Sequence, residues 1–206
     1  MNYRVLILAL LLTGCSGGNN TPSTGLKIFI TEETHAGDFA GDPTLPGTTA
    51  IQKADAFCNS SRSKPSDDTY KALIVDGTSR DAVSLTDWVL KPDTDYYQAF
   101  NDVLIDRTTN AAIFAAYYRS MKNPIDPCGK NCAPEKQRTV WTGMIDASTF
   151  EAGTAFYNCN EWGQAGSITS QSGVFSLTTE IDGRAFATNG YAGCTTHQFP
   201  VYCVQQ

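Results

Sequence analysis

Thr49-Ala50-Ile51-Gln52-Lys53-Ala54-Asp55-Ala56-Phe57-Cys58-Asn59-Ser60-Ser61-Arg62 is the stretch on which the architecture turns. Thr49 and Gln52 have capping-box spacing: the hydroxyl accepts from the amide three residues on, and the glutamine reaches back to the cap. Ala50, Ala54, Phe57, Cys58 and Ser61 then recur at one-turn spacing, which predicts a helix from Ala50 to Arg62 with Cys58 facing inward. Lys64-Pro65 ends it, because the residue before a proline is driven out of helical geometry.

On either side of this helix the chain reads as strand. Leu26-Lys27-Ile28-Phe29-Ile30-Thr31 mixes β-branched and aromatic residues, and the Gly- and Pro-rich segment Gly37 to Gly47 separates it from the helix as a loop. Tyr70-Lys71-Ala72-Leu73-Ile74-Val75 is the next strand, closed by Asp76-Gly77. Ala82 to Trp88 is read as a second short helix, Lys91-Pro92-Asp93 as a turn, and Asp95 to Phe100 with Val103-Leu104-Ile105 as a hairpin. Periodicity does not assign the apolar run Ala111 to Ala116. Thr139 to Gly143 is a strand ending in glycine. From Gly143 to Gly193 glycine, serine, threonine and asparagine surround scattered aromatics, and Pro200-Val201-Tyr202-Cys203-Val204 closes the domain as a last strand. The fold class is α+β, with helix early and loop-rich β structure late.

The start of the chain is of a different kind. Arg4, the apolar run Val5 to Leu12 and the small residues Thr13-Gly14 lead to Cys15, the pattern of an export signal. A small-residue site ending in cysteine resembles the lipobox of bacterial lipoproteins, in which the thiol is acylated and becomes the new N-terminus. The apolar run is far short of the roughly 20 residues a spanning helix needs, so attachment is expected through lipid at Cys15 alone. Ser16 stands where an aspartate would signal inner-membrane retention in many Gram-negative bacteria, which favours the outer membrane. Gly17 to Gly25 (GGNNTPSTG) reads as a flexible tether. The expected division is 1–14 signal peptide, 15–25 lipidated cysteine and tether, and 26–206 one domain.

The net charge of −6 becomes more acidic once Arg4 is removed, and no run of lysine or arginine occurs. Nucleic-acid binding by phosphate neutralisation is therefore not expected. With Cys15 acylated, Cys58, Cys128, Cys132, Cys159, Cys194 and Cys203 remain in an oxidising compartment, where three disulfides could form in fifteen pairings. Cys128-Gly-Lys-Asn-Cys132, flanked by Pro127 and Pro134, reads as a small disulfide-pinched loop. It does not read as a zinc site, since neither His35 nor His197 has ligand spacing to it.

Several fragments recur in fixed order: KIFIT (Lys27–Thr31), ADAFC (Ala54–Cys58), YKALIVDG (Tyr70–Gly77), DWVLKPDT (Asp87–Thr94) and VWTG (Val140–Gly143). NCNEW (Asn158–Trp162), a lone Cys194 and VYCVQ (Val201–Gln205) follow. Together they resemble the leptospiral endostatin-like surface lipoproteins, whose domain is similar to endostatin and, more remotely, to the C-type lectin-like fold. The resemblance implies that Cys58 pairs with Cys203 and Cys159 with Cys194, and that Trp88, Trp141 and Trp162 pack the interior. It also implies binding to host matrix and plasma proteins of the laminin, fibronectin, factor H and plasminogen class.

Catalysis is not indicated. There is no G-x-S-x-G elbow, no Gly-rich phosphate loop opening a helix and no motif around either histidine. The adjacent acids Glu32-Glu33 are expected in water after their strand. No cofactor is called for. Where sugar-binding C-type lectins carry calcium-ligating tripeptides, this chain has Lys91-Pro92-Asp93 and Asn160-Glu161-Trp162, so calcium-dependent sugar binding is not expected. Arg62, Arg80, Arg107, Arg119, Arg138 and Arg184 are too scattered to give a heparin site by sequence alone. The favoured function is a lipid-anchored, surface-exposed binding module or adhesin whose exposed loops are Gly37–Gly47, Asn123–Lys136 and Gly163–Gly173. Lys122, Lys130, Lys136 and Arg138 form the candidate plasminogen-binding cluster. The alternatives are a calcium-independent carbohydrate-binding domain using tryptophan or tyrosine stacking, and a structural envelope lipoprotein.

Overall fold

The computed structural model describes residues 24–125, 138–163, 172–188 and 190–206. Cys15, residues 1–14 and the Cys128–Cys132 loop lie outside that set.

Strand β1 (Leu26–Ile30) shows why its sequence is apolar from Ile28 onward instead of alternating. Ile28 and Ile30 enter one core while Phe29 enters a second core on the opposite face. The same division holds for the closing strand. Tyr202 and Val204 join the first core, and Val201 and Cys203 the second. A strand with period-2 geometry and apolar neighbours on both sides must be apolar at every position.

Two further elements complete the inner frame: helix α1 (Ala50–Ser60) and β3 (Tyr70–Ala72). The hairpin β4 (Asp95–Gln98) and β5 (Leu104–Arg107) follows, and the chain ends in β12 (Tyr202–Gln205). Five strands align in the order β3-β12-β1-β4-β5, so the first and last strands of the domain lie side by side at its centre. β1 pairs antiparallel with β12, Phe29 opposite Cys203, and parallel with β4.

Helix α1 forms as its capping box dictates. The Thr49 hydroxyl accepts from the Gln52 amide at 3.2 Å, and Gln52 Oε1 accepts from the Thr49 amide at 3.3 Å. It ends sooner than Pro65 requires. Ser61 is extended, and Glu33 receives the Ser61 hydroxyl at 2.6 Å and the Arg62 side chain and amide at 2.7 and 3.2 Å. This corrects the expectation for the acidic pair, because Glu32 stays exposed while Glu33 becomes the anchor of the helix end. Burial pushes the Glu33 carboxyl up, but these hydrogen bonds outweigh it and hold the group at about 2.

The helix also protects an edge of the sheet. Along β3, the Tyr70 amide donates to Asn59 and the Tyr70 carbonyl accepts from Asn59. The Ala72 amide donates to Asp55, and the Ala72 carbonyl accepts from Arg80. Side chains thus stand in for a missing strand and leave no template for another chain. Arg80 is fully buried, and it makes a bidentate pair with Asp55 at 2.8 Å and a 2.6 Å bond to Asp87. Ala82 to Trp88 belongs to this corner. It is not a helix but a turn closed by the Asp81–Thr86 bridge, with Leu85 and Asp87 at positive φ. Asp87 turns back onto Arg80, a tertiary demand that overrides the weak helical propensity of the segment.

The late half forms smaller sheets. β6 (Thr139–Trp141), β9 (Ser172–Leu177) and β10 (Gly190–Gly193) align in the order β10-β9-β6. β7 (Met144–Asp146) pairs with β8 (Glu151–Ala152), and β2 (His35–Ala36) with β11 (Gln198–Phe199). Trp141 and Trp162 are fully buried and Trp88 is half-buried. The indole N–H groups donate to the carbonyls of His35, Val75 and Ala112, respectively, each at 2.8 Å. At Gly143, where φ is +72°, an added Cβ would lie 2.6 Å from the Val75 carbonyl and 2.8 Å from the Trp162 ring, so only glycine fits. The bridges Cys58–Cys203 and Cys159–Cys194 are formed.

Cys159–Trp162 is a left-handed turn, with φ of 56°, 53°, 58° and 60° at four successive non-glycine residues. Each such residue costs roughly 1–2 kcal/mol. Three groups hold the turn in place: the Cys159 bridge, the Trp162 indole, and buried Asn158. The Asn158 amide donates to the Asp76 and Gly153 carbonyls at 3.0 Å, and its oxygen accepts from the Glu161 amide at 2.9 Å. Glu161 is exposed, so Glu161→Gly is expected to raise the unfolding free energy by about 1 kcal/mol. Urea denaturation reads this directly, and a lowered midpoint would show that the carboxylate itself is needed.

Candidate functional site

The hairpin β7–β8 projects Ala147 to Phe150 between three surface depressions. Its turn is locally determined. Asp146 Oδ1 accepts from the Ser148 hydroxyl and amide at 2.6 Å, the Phe150 amide returns to the Asp146 carbonyl, and Phe150 at φ 58° drops its ring against Phe186 in the core. The bonds from Ser148, hydroxyl first, hold the Asp146 carboxyl below its usual range. An Asx-type turn of this kind presents rigid backbone to solvent.

The first depression, about 710 Å³, lies between this turn, the tyrosines Tyr117 and Tyr118, and the segment Asp182 to Ala187. A second, about 310 Å³, is apolar and includes Val83, Leu85, Ala111 and Ile113. A third, about 570 Å³, is acidic, with Asp81, Glu151 and Glu161. Ser148 lines both the first and second; Val83 and Thr149 line both the second and third. The three therefore adjoin as one furrow divided by the β7–β8 turn. Val83, Leu85, Tyr117 and Tyr118 on it are 62%, 54%, 64% and 77% exposed, a concentration of solvent-facing apolar surface.

The tyrosines belong to the Ala111–Ala116 region that periodicity left unassigned. It is a string of turns anchored by Phe114, which stacks on Phe186. The Tyr118 and Arg119 amides donate to the Ala115 carbonyl, and Arg119 pairs at 2.6 Å with buried Asp106. Sequence alone did not single out Tyr117-Tyr118; the signal available was two adjacent aromatics just after an apolar run, which core packing cannot both absorb.

The basic cluster expected from the sequence is only partly described. Lys122 is exposed, beside β5, where its amide donates to the Ile105 carbonyl. Arg138 is half-buried, and its guanidinium donates to the Thr31 carbonyl at 2.9 Å, which commits it to the frame. Lys130 and Lys136 lie outside the described residues, as do most of the expected loops Asn123–Lys136 and Gly163–Gly173. Loop Gly37–Gly47 is pinned rather than free. Lys53 donates to the Ala40 and Asp42 carbonyls at 2.7 Å, and Phe39 is buried against His35 and Trp162. Of the six described arginines, Arg62, Arg80, Arg107, Arg119 and Arg184 are ion-paired and Arg138 is carbonyl-bonded.

His35 faces Asp42 at 3.1 Å and stacks on Phe39, and His197 is exposed beside Thr196. Among the described residues, no group of three or more His, Cys, Asp or Glu is placed to hold a metal ion, and no helix is long and apolar enough to cross a membrane. The Thr44 hydroxyl, against burial and together with the Thr44 amide and His35, holds the Asp42 carboxyl at about 2. Asp42 and Glu33 are both depressed on folding. Their contribution is complete above the ordinary values of 3.8 and 4.5 and is lost as pH falls through about 2. A urea midpoint followed from pH 5 to 2 is expected to fall, and less steeply in Glu33→Gln; an equal slope would remove Glu33 as a cause.

No curated protein matches the chain. A family model matches residues 43–181, which takes in α1, the buried Arg80 corner, the exposed tyrosines and the β7–β8 hairpin. The chain belongs to the family described as "Protein of unknown function (DUF1554)".

Proposed function

We propose that the protein is a lipid-tethered, surface-displayed binding module of the endostatin-like, C-type lectin-like kind, which engages host matrix or plasma glycoproteins of the laminin, fibronectin, factor H and plasminogen class. The observation that carries this reading is the furrow with Val83, Leu85, Tyr117 and Tyr118 exposed along it. A frame with both sheet faces buried and two bridges formed keeps such a surface ordered before contact, which lowers the entropy lost on binding. Tyrosine supplies large amphipathic contact area with few rotatable bonds. The acylated Cys15 and the polar tether to Gly25 would hold the domain clear of the membrane, and the outer leaflet is the favoured address.

Purified full-length protein is expected to bind at least one of these four glycoproteins saturably in biolayer interferometry. Val83→Ser, Leu85→Ser, Tyr117→Ser and Tyr118→Ser combined are expected to weaken that binding at least tenfold, with an unchanged near-ultraviolet spectrum. Equal binding by the folded variant would remove this face from the function.

A further inference from the structure

Resting on that reading, we infer that the depression beside Tyr117 and Tyr118 is a metal-independent subsite for a neutral pyranose ring, through which the module would hold the glycan of its partner. The two tyrosine rings stand 5.2 Å apart at 83°, an edge-to-face corner open to solvent. One aromatic face flat against the C–H face of a sugar, with the second ring closing its side, is the arrangement that such a corner offers.

The opposite wall supplies what sugar hydroxyls need. Asp146 lines the depression; its carboxylate accepts from the Ser148 hydroxyl and amide through Oδ1 and is also held by the Thr149 amide, and with about four acceptor sites on an ionised carboxylate some capacity remains. Arg184 spends Nε and Nη2 on Asp182 and Nη2 on Glu180, while Nη1 makes no bond among the described residues. An ionised acceptor and a cationic donor lining one depression suit neighbouring hydroxyls, which both donate and accept. The charge sets the class of sugar. Asp146 and Asp182 against Arg184 leave the lining net negative, so sialylated, sulfated or phosphorylated rings are disfavoured and neutral ones favoured.

The walls are held in register without a ligand. The Met121 amide donates to the Ile181 carbonyl at 2.6 Å and ties the tyrosine turn to the opposite segment. At Gly183 an added Cβ would come 2.8 Å from the Ala147 Cβ, so the floor is closed by direct contact of the two walls. The volume falls within the range of small-ligand sites.

The test is a glycan array probed with full-length oxidised protein, with neutral, sialylated and sulfated arms and with and without chelator, followed by saturation-transfer NMR using lactose and maltose. The expected result is binding on the neutral arm, undiminished by chelator. Tyr117→Ala with Tyr118→Ala, or Asp146→Asn alone, is expected to weaken it at least tenfold while the urea midpoint holds. Silence of the neutral arm, binding confined to anionic sugars, or undiminished binding by the folded tyrosine variant would overturn the inference. Laminin and fibronectin assayed before and after enzymatic deglycosylation separate this inference from the broader reading. Equal binding of both forms sinks the saccharide subsite and leaves the protein-binding face standing. Binding by neither form counts against that face, and the array then decides the subsite by itself.

Discussion

Cys58→Ala combined with Cys203→Ala is expected to lower the unfolding free energy by about 5 kcal/mol, the largest loss that a change at two side chains should cause here. The bridge joins residues 145 apart, and in the chain-entropy description a loop of that length costs the cross-linked unfolded chain about 5 kcal/mol of freedom. Both cysteines are also fully buried between α1 and the central sheet, so alanine leaves a void as well. Domains of this size have about 5–15 kcal/mol in total, and the variant should be close to unfolding at body temperature. The Cys159–Cys194 pair closes 35 residues and is expected to contribute nearer 4 kcal/mol. Guanidinium denaturation of oxidised wild type against each double variant measures both, and a loss under about 1 kcal/mol for the longer bridge would contradict the account.

Arg80→Ala is expected to cost about 3–5 kcal/mol, for a different reason. Arg80 is fully buried, and its guanidinium satisfies Asp55, Asp87 and the Ala72 carbonyl together. Burial alone would pull its pKa down, but Asp55 and Asp87 outweigh that and keep it charged. Removing it strands the Asp55 carboxylate, leaves Asp87 with Lys71 alone and unpairs the Ala72 carbonyl on the edge of β3. Asp55→Asn keeps an oxygen for the Ala72 amide while removing the charge, so its cost should fall below that of Asp55→Ala. Far-ultraviolet circular dichroism across a urea series would read all three, and equal costs for Asn and Ala at 55 would show that the edge amide contributes nothing. Arg80 stands outside the furrow, so partner binding by the still-folded fraction should be intact.

These two sites mark where sequence reasoning reached and where it stopped. The helix start was legible because Thr49 and Gln52 interact within a single turn. The core strands were legible because residues 28–30 and 201–204 are apolar at every position, which only a strand covered on both faces requires. The helix was expected to run to about Arg62 and stops at Ser60, because Glu33, 28 residues upstream of Ser61, accepts from the Ser61 hydroxyl and the Arg62 amide and holds the chain extended there. The segment Ala82 to Trp88 was misjudged because its conformation is dictated by Asp87 reaching Arg80. The furrow was the least legible part. Val83, Tyr117, Ser148 and Arg184 have no common period, and nothing local distinguishes an exposed tyrosine from a buried one.

By itself, then, the chain's covalent order determined the α+β class and the capped helix with its inward cysteine. Each of these is set by contacts within one turn or one pleat. Tertiary structure alone decided the side-chain edge along β3, the left-handed turn at Cys159–Trp162 and the furrow joining residues 83 to 184. Those features depend on groups brought together across long loops. Their partners are chosen by burial and unsatisfied polar atoms, quantities that exist only once the chain has closed on itself.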